Sequence, residues 1–591
     1  MLGKIIGIEE NLIKVQINVD LEKLPTLINM YVVMEDKDKV CVGEIIEIKD
    51  DIATINAVGE IIGNQFESGV SRKPSFSAAV KIVSKEKVPL IISTDGFEEK
   101  RDLYLGKSAI YPDINVNTNI NNFFSSHFSI FGNSGGGKSC SVARIIQNLL
   151  TKSNPTPYKS SIFLFDAHGE YFDAFKDLNK INSNINFKTF TTNTKFSDSE
   201  IIKIPLWLLS VDDYALLLGA TSALQLPIIE KALKLVSIFG REETEVIKHK
   251  NDIIARAILD ILSSGNPPAQ IRDQIFSILS YYNTKEFNLE TEVHQPGYVR
   301  PLKQCLLIDA SGKIREMELL TTFVEKFLDN NLELRMPDGT FRYSLKDLKD
   351  AFDFALISEG SLKSNKVYDE ANVLRVRLNS LVNGDYSTYF DCPEYITKEA
   401  FVKSLLTADN GKKAQIVNFN INYVDDRFAK TITKIYSKIL FDYSKDSKNG
   451  VKLPFHIILE EAHRYVQNDS DNEILGYNIF ERITKEGRKY GVILALVSQR
   501  PSELSETTLS QCSNFLVFRM LHPRDVSYIK EMIPNITEEI IKKVKLLQPG
   551  NCIAFGTGFK VPVIVKIDMP NPAPNSSSCD ISDVWFVETN M

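Results

Sequence analysis

The stretch GNSGGGKS, residues 132–139, has the spacing G-x-x-x-x-G-K-[ST]. Glycines let successive backbone N–H groups curl around an anion, and a helix starting at the lysine adds its positive dipole end. Phosphate is the ligand that suits such a loop. Gly132, Asn133, Ser134, Gly135, Gly136, Gly137, Lys138, Ser139 and Cys140 are therefore the candidate nucleotide-binding residues. Lys138 is placed to reach the β- and γ-phosphates, and Ser139 to ligand Mg2+. The apolar FSIF before the loop and CSVARIIQNLL after it supply the strand and the helix that the loop requires.

A second constellation is FHIILEEAHRYV, residues 455–466. A buried strand that ends in two carboxylates needs compensation, because an unpaired buried carboxylate is costly to desolvate. With a phosphate loop elsewhere in the chain, Glu460 can hold Mg2+ and Glu461 can orient and polarise an attacking water. Gln499 closes the apolar run GVILALVS and has both a donor and an acceptor for a γ-phosphate and a water. Arg482, Lys485, Arg488, Lys489 and Arg500 crowd the same part of the sequence. Arg488 is the one whose guanidinium is expected to contact phosphate from a neighbouring subunit of a ring; the alternative is an ordinary basic residue at a helix C-terminus.

These residues need a scaffold. The 591-residue chain is long enough for two to four domains, and 43% hydrophobic with 25% charged residues fits a folded protein. A formal net charge of −7 argues against a general basic coat for nucleic acid, though not against a local basic channel. Seven scattered cysteines without a CxxC pair suggest neither a zinc site nor a disulfide framework. No run approaches the length of a membrane span and the N-terminus lacks a signal-peptide pattern, so a cytoplasmic protein is expected.

Residues 1–105 read as short Val- and Ile-rich strands, a small β-barrel or sandwich. Strand–helix alternation then marks a nucleotide-binding α/β core, 106–208 and 391–570, with a largely parallel sheet. Between them, 209–390 reads as a helical insertion, and 571–591 as a tail ending in Val584-Trp585-Phe586-Val587, either frayed or docking its aromatic tip on a neighbour.

HFSIFGNSGGGKS, LFDAHGEY, ILEEAHRY, EGRKYG with LVSQRPSELSETTLSQCSNFLVFR, and LQPGNCIAFG, in that order, resemble the HerA-type ATPases of the HerA/FtsK superfamily. The resemblance implies a RecA-like P-loop ATPase core, an N-terminal HAS-barrel and a hexameric ring that translocates on double-stranded DNA using ATP and Mg2+. It implies Lys138 and Ser139 as the Walker A pair, Glu460 as the Walker B acid, Glu461 as the catalytic glutamate, Gln499 as the sensor and Arg488 as an inter-subunit residue. Asp166, His168, Glu170 and Tyr171 match the family's DxHGEY segment, as local caps or as support for Mg2+. A separate nuclease or a sirtuin-like NAD hydrolase would be the partner, in antiphage defence or DNA end processing. The rival expectation is an ATP-regulated hexameric scaffold that activates such an effector with little movement on DNA; a P-loop protein acting on other cargo would leave the order of the segments unexplained.

Overall fold

The computed structural model describes residues 1–19, 27–36, 39–93, 102–152, 156–195, 199–239, 241, 244–329, 341–360, 365–446, 453–533, 538–576 and 581–585. They form two compact units, one of residues 1–200, 402–468 and 479–591, the other of 201–401 and 469–478.

The first unit begins with seven strands: β1 (Gly3–Glu9), β2 (Leu12–Ile17), β3 (Tyr31–Asp36), β4 (Lys39–Lys49), β5 (Ile52–Ile62), β6 (Gln65–Ser68) and β7 (Ala79–Ile82). They lie antiparallel in the order β2-β1-β7-β3-β4-β5-β6, and β2 also pairs with β5. That extra pairing closes six strands into a barrel and leaves β6 outside it. Period-two alternation fills the interior: Ile13, Val15 and Ile17 on β2 and Ala53 and Ile55 on β5 are buried. Register shifts within the long β4–β5 pair give the local bend that closure needs.

The rest of this unit is an α/β sheet. Its strands longer than two residues are β8 (Asp102–Ser108), β9 (Asn115–Asn119), β10 (Phe128–Phe131), β11 (Ile162–Asp166), β12 (Phe187–Thr191), β13 (Ile416–Asn420), β14 (Phe455–Leu459), β15 (Val492–Ser498), β16 (Asn514–Phe518), β17 (Asn551–Gly556) and β18 (Val563–Ile567). The order β12-β13-β11-β14-β15-β10-β16 is parallel throughout. It continues as β17-β18-β8-β9 with every pair antiparallel. The sheet is thus largely parallel, as expected, with an antiparallel wing added at one side. The connection from β17 to β18 is too short for a crossover, so the two must run in opposite directions. Strand β8 straddles residue 105, where the texture of the sequence suggested the barrel ends, and it pairs in the large sheet.

Helices α1 (Lys138–Lys152), α2 (Asp426–Asp446), α3 (Ile479–Tyr490) and α4 (Glu538–Leu546) cover the sheet and its wing. Apolar residues at helical spacing give α1 its buried face of Val142, Ile145, Ile146, Leu149 and Leu150. In the same way Ile479, Phe480, Ile483 and Gly487 are the buried face of α3.

The second unit is mostly helical, with helices including Val211–Leu218, Leu226–Phe239, Thr244–Ser263, Pro268–Tyr281, Leu345–Gly360 and Asn365–Asn383. Ser210 and Asp213 form a reciprocal capping box, and Gly219 ends that helix at φ 61°. Ile258, Ile275, Phe354 and Leu374 are buried here. Residues 469–478 return to this unit after a long stretch of the first, and the Tyr477 hydroxyl donates to Asp212 Oδ2 at 2.8 Å. Among the described residues no single helix is long and apolar enough to cross a membrane. In the tail, the Asn575 N–H donates to the Glu170 carbonyl at 2.8 Å and Trp585 is exposed. Phe586 and Val587 lie outside the described residues.

Candidate active site

Register decides which side chains meet. Phe165 of β11 pairs with Leu459 of β14, Leu459 with Leu496 of β15, and Ser498 of β15 with Phe131 of β10. Parallel strands in this register bring Asp166, Glu460, Ser498–Gln499 and Gly132 side by side at one edge. This is the carboxyl end of the sheet, where α/β folds place their ligands.

The loop between β10 and α1 is held by backbone bonds. The Asn133 N–H donates to the Arg519 carbonyl at 3.0 Å, the Gly136 N–H to the Asn133 carbonyl at 3.1 Å and the Gly550 N–H to the Gly136 carbonyl at 3.2 Å. Gly137 has φ 100°, left-handed territory that disfavours a side chain. At Gly132 a Cβ would stand 2.5 Å from the Cβ of Phe518. The Lys138 ammonium is buried and donates to the Asn133 carbonyl at 3.1 Å. Burial lowers its pKa, against the pull of Glu461, Glu460 and Glu170. Cys140 follows on the first turn of α1 and is partly buried.

Ser139 Oγ donates to Glu460 Oε1 at 3.0 Å, and the Tyr171 hydroxyl donates to the same oxygen at 3.1 Å. Among the described residues neither Glu460 Oε2 nor Glu170 Oε2, both buried, has a hydrogen-bond partner. Burial pushes the Glu460 carboxyl well above the usual carboxylate range, and the neighbouring Asp166 and Glu170 push it further. A buried oxygen without a donor, beside a serine hydroxyl, suits a hard dication. Ser139 and Glu460 can hold Mg2+ here, with Glu170 close by. Among the described residues no group of three or more His, Cys, Asp or Glu is arranged to hold a metal unaided. Mg2+ usually keeps several waters and shares nucleotide phosphates, so few protein ligands suffice.

Glu461 is built differently. Its backbone is left-handed at φ 48°, a strained conformation for a residue with a Cβ. The turn sends its side chain away from Glu460 and between two histidines. Glu461 Oε1 is 3.8 Å from His168 Nε2, and Oε2 is 3.2 Å from His463 Nδ1. Burial alone would raise the Glu461 carboxyl, but His168, His463 and the Lys138 charge hold it at about 2. Conversely the Glu461 carboxylate raises the His168 imidazole, against its partial burial. Two adjacent glutamates are therefore shifted in opposite directions, and the Lys138 charge favours the ionised form of Glu461.

Asp166 has a local task. Its carboxylate is fully buried and accepts the N–H groups of Gly169, Glu170 and Tyr171 at 2.8, 3.1 and 3.0 Å. It shapes the turn that delivers Tyr171 to Glu460. Gln499 Oε1 accepts the Ser134 hydroxyl, so the end of β15 touches the phosphate loop.

The basic residues do not form one cluster. Arg482, Lys485, Arg488 and Lys489 lie on α3, which runs back to the start of β15, whereas Arg500 lies beyond its end and pairs with Glu503 at 3.1 Å. Seven strand residues at about 3.3 Å each put Arg488 roughly 23 Å from Gln499 of its own chain. Arg482 and Lys485 pair within the helix with Glu486 and Glu481 at 3.9 and 3.7 Å. Sequence reasoning passed over His463 and Ser498. The only signal was a histidine two residues beyond Glu461, which spacing alone does not distinguish from a surface histidine.

Comparison with known proteins fits this geometry. The family model "Helicase HerA, central domain" matches residues 103–299. The DNA double-strand break repair helicase HerA of Pyrococcus furiosus is 23% identical over 530 residues, 88% of this chain and 78% of that protein. The protein of the same name from Saccharolobus solfataricus is 25% identical over 507 residues, 85% of this chain and 74% of its own. The Sulfurisphaera tokodaii protein reaches 31% identity over 181 residues, 30% of this chain and 36% of that one. Over most of its length the chain is similar to the HerA helicases. The family-model match covers β8 to β12 and the first half of the helical unit, so it includes the phosphate loop and the DAHGEY turn but not Glu460, Glu461 or Gln499. Those three come into the same site through the strand register.

Proposed function

We propose that this chain is a motor that moves on double-stranded DNA as a homohexameric ring, driven by Mg2+-dependent ATP hydrolysis, in the cytoplasm. It serves DNA end processing or antiphage defence beside a nuclease or NAD-consuming effector on another chain. The reading rests above all on one observation: Glu461, ionised and clamped at the end of β14, lies beside a buried lysine and an adjacent carboxylate that contacts Ser139. The names of the HerA relatives, repair helicases acting on DNA breaks, support the choice of DNA.

The steps follow from the residues. The amides of the loop and Lys138 seat the β- and γ-phosphates and offset the charge that builds on them. Ser139 and Glu460 would hold Mg2+, which would supply Lewis-acid polarisation of the phosphates. Glu461 orients a water for in-line attack and accepts its proton. A bond forms between the water oxygen and the γ-phosphorus, and the bond to the bridging oxygen breaks to release ADP. Gln499 contacts the γ-phosphoryl group and so registers its departure. Arg488, too distant to serve its own site, reaches the nucleotide of the next subunit.

The test is the ATPase rate against added duplex DNA, on protein of measured oligomeric mass, with Glu461→Gln as control. Duplex stimulation of a hexamer, abolished by the substitution while nucleotide still binds, is the expected result. Normal turnover in the Glu461→Gln protein sinks the assignment. Hydrolysis indifferent to DNA moves the reading to an ATP-regulated scaffold.

A further inference from the structure

His463 stands between two oxygens. Its Nδ1 hydrogen-bonds Ser498 Oγ at 3.1 Å and lies 3.2 Å from Glu461 Oε2, a buried oxygen with no hydrogen-bond partner among the described residues. Ser498 is fully buried at the end of β15, and its hydroxyl oxygen also accepts the Arg500 N–H at 3.0 Å. The same short stretch meets the phosphate loop twice: the Gly132 N–H donates to the Ser498 carbonyl at 3.4 Å, and Ser134 donates to Gln499. A continuous path of polar contacts therefore runs from Ser134 and Gln499 through Ser498 and His463 to Glu461. On its far side Glu461 has the longer 3.8 Å contact to the half-exposed His168.

We propose that His463 is a positioning residue that relays the state of the phosphate loop to the water-activating glutamate, by passing its Nδ1 donor from Ser498 to Glu461. The inference rests on reading Glu461 as the group that activates water. A γ-phosphate that draws the Gln499 amide displaces the Ser134 hydroxyl from it and shifts the adjoining Ser498. The Nδ1 donor then turns wholly to Glu461 and fixes the carboxylate for attack. The left-handed backbone at Glu461 serves the same end, since a residue held in a sparsely populated conformation depends on side-chain contacts for its aim.

The test compares His463→Ala, His463→Asn and Gln499→Ala, alone and with the alanines combined, in full-length protein. Steady-state ATPase and the affinity for a fluorescent non-hydrolysable ATP analogue are both read. His463→Ala is expected to lower kcat about tenfold to a hundredfold while analogue affinity, which requires the intact fold, is unchanged. His463→Asn, whose amide N–H occupies the place of Nδ1–H, is expected to recover most of that loss. The double alanine variant is expected to be little worse than the poorer single one, because the two residues act as a unit. Wild-type kcat in His463→Ala, no recovery with Asn, or losses that multiply in the double variant each overturn the relay. Glu461→Gln in the same assay separates the two readings: turnover in that protein overturns the hydrolytic assignment itself, whereas a dead Glu461→Gln beside an unimpaired His463→Ala overturns the relay alone.

Discussion

The carboxyls of two neighbouring glutamates are pushed in opposite directions because one backbone torsion points them apart. Glu460 enters a buried corner with Asp166 and Glu170, where the hydroxyls of Ser139 and Tyr171 donate to it. Glu461 turns toward two histidines and a lysine. At this scale Tyr171 is informative. Its hydroxyl steadies the oxygen of Glu460 that also takes Ser139, in the manner of the outer residues that orient ligands at metal sites. Tyr171→Phe keeps the buried ring and removes that one bond. The Mg2+ concentration for half-maximal ATPase is expected to rise about tenfold, with kcat near wild type at saturating Mg2+. An unchanged Mg2+ requirement in a titration would deny Tyr171 this task.

At the scale of elements the site depends on how closely α3 can approach the strand that follows it. A Cβ on Gly487 would meet the Val492 carbonyl oxygen at 2.5 Å, backbone that cannot step aside. Gly487→Ala should push α3 from β15 and destabilise the protein by about 1–3 kcal/mol, as overpacking does. Chemical denaturation measures this, and a stability equal to wild type refutes it. Elements of this kind were partly legible in the sequence. The phosphate loop announces itself through glycine spacing between an apolar strand and an amphipathic helix. Glu460 and Glu461 stand out because carboxylates are costly at the end of an apolar run. His463 and Ser498 were not legible, since their meeting depends on the register between β14 and β15, which spacing along the chain does not encode. The crowd of basic residues misled for the opposite reason. They are neighbours in sequence, but a seven-residue strand separates Arg500 from those on α3. Residues 469–478 could not be assigned to the helical unit from local texture, because a short polar stretch has no periodicity of its own.

The whole molecule sets where Arg488 can act. It lies at the opposite end of β15 from Gln499, so a role in catalysis requires another copy of the chain. Head-to-tail interfaces of a ring supply one at every site. Arg488→Ala and Glu461→Gln proteins should each be inactive, and subunits of the two mixed before assembly should regain ATPase. Roughly a quarter of the interfaces in a random ring would then join an intact Glu461 to an intact Arg488. Mixtures as inactive as their components would remove Arg488 from the site. The relation of β8 to β18 also extends over the whole chain. Ser108 pairs with Val565, so the strand that opens the α/β sheet after the barrel completes its pairing only with one of the last strands made. While the ribosome is still translating the helical unit, β8 and β9 wait with one edge unpaired, a template for wrong pairing with other nascent chains. A message cut short before Val563 would therefore yield more than an incomplete ATPase: its product would keep that edge open and be prone to aggregate.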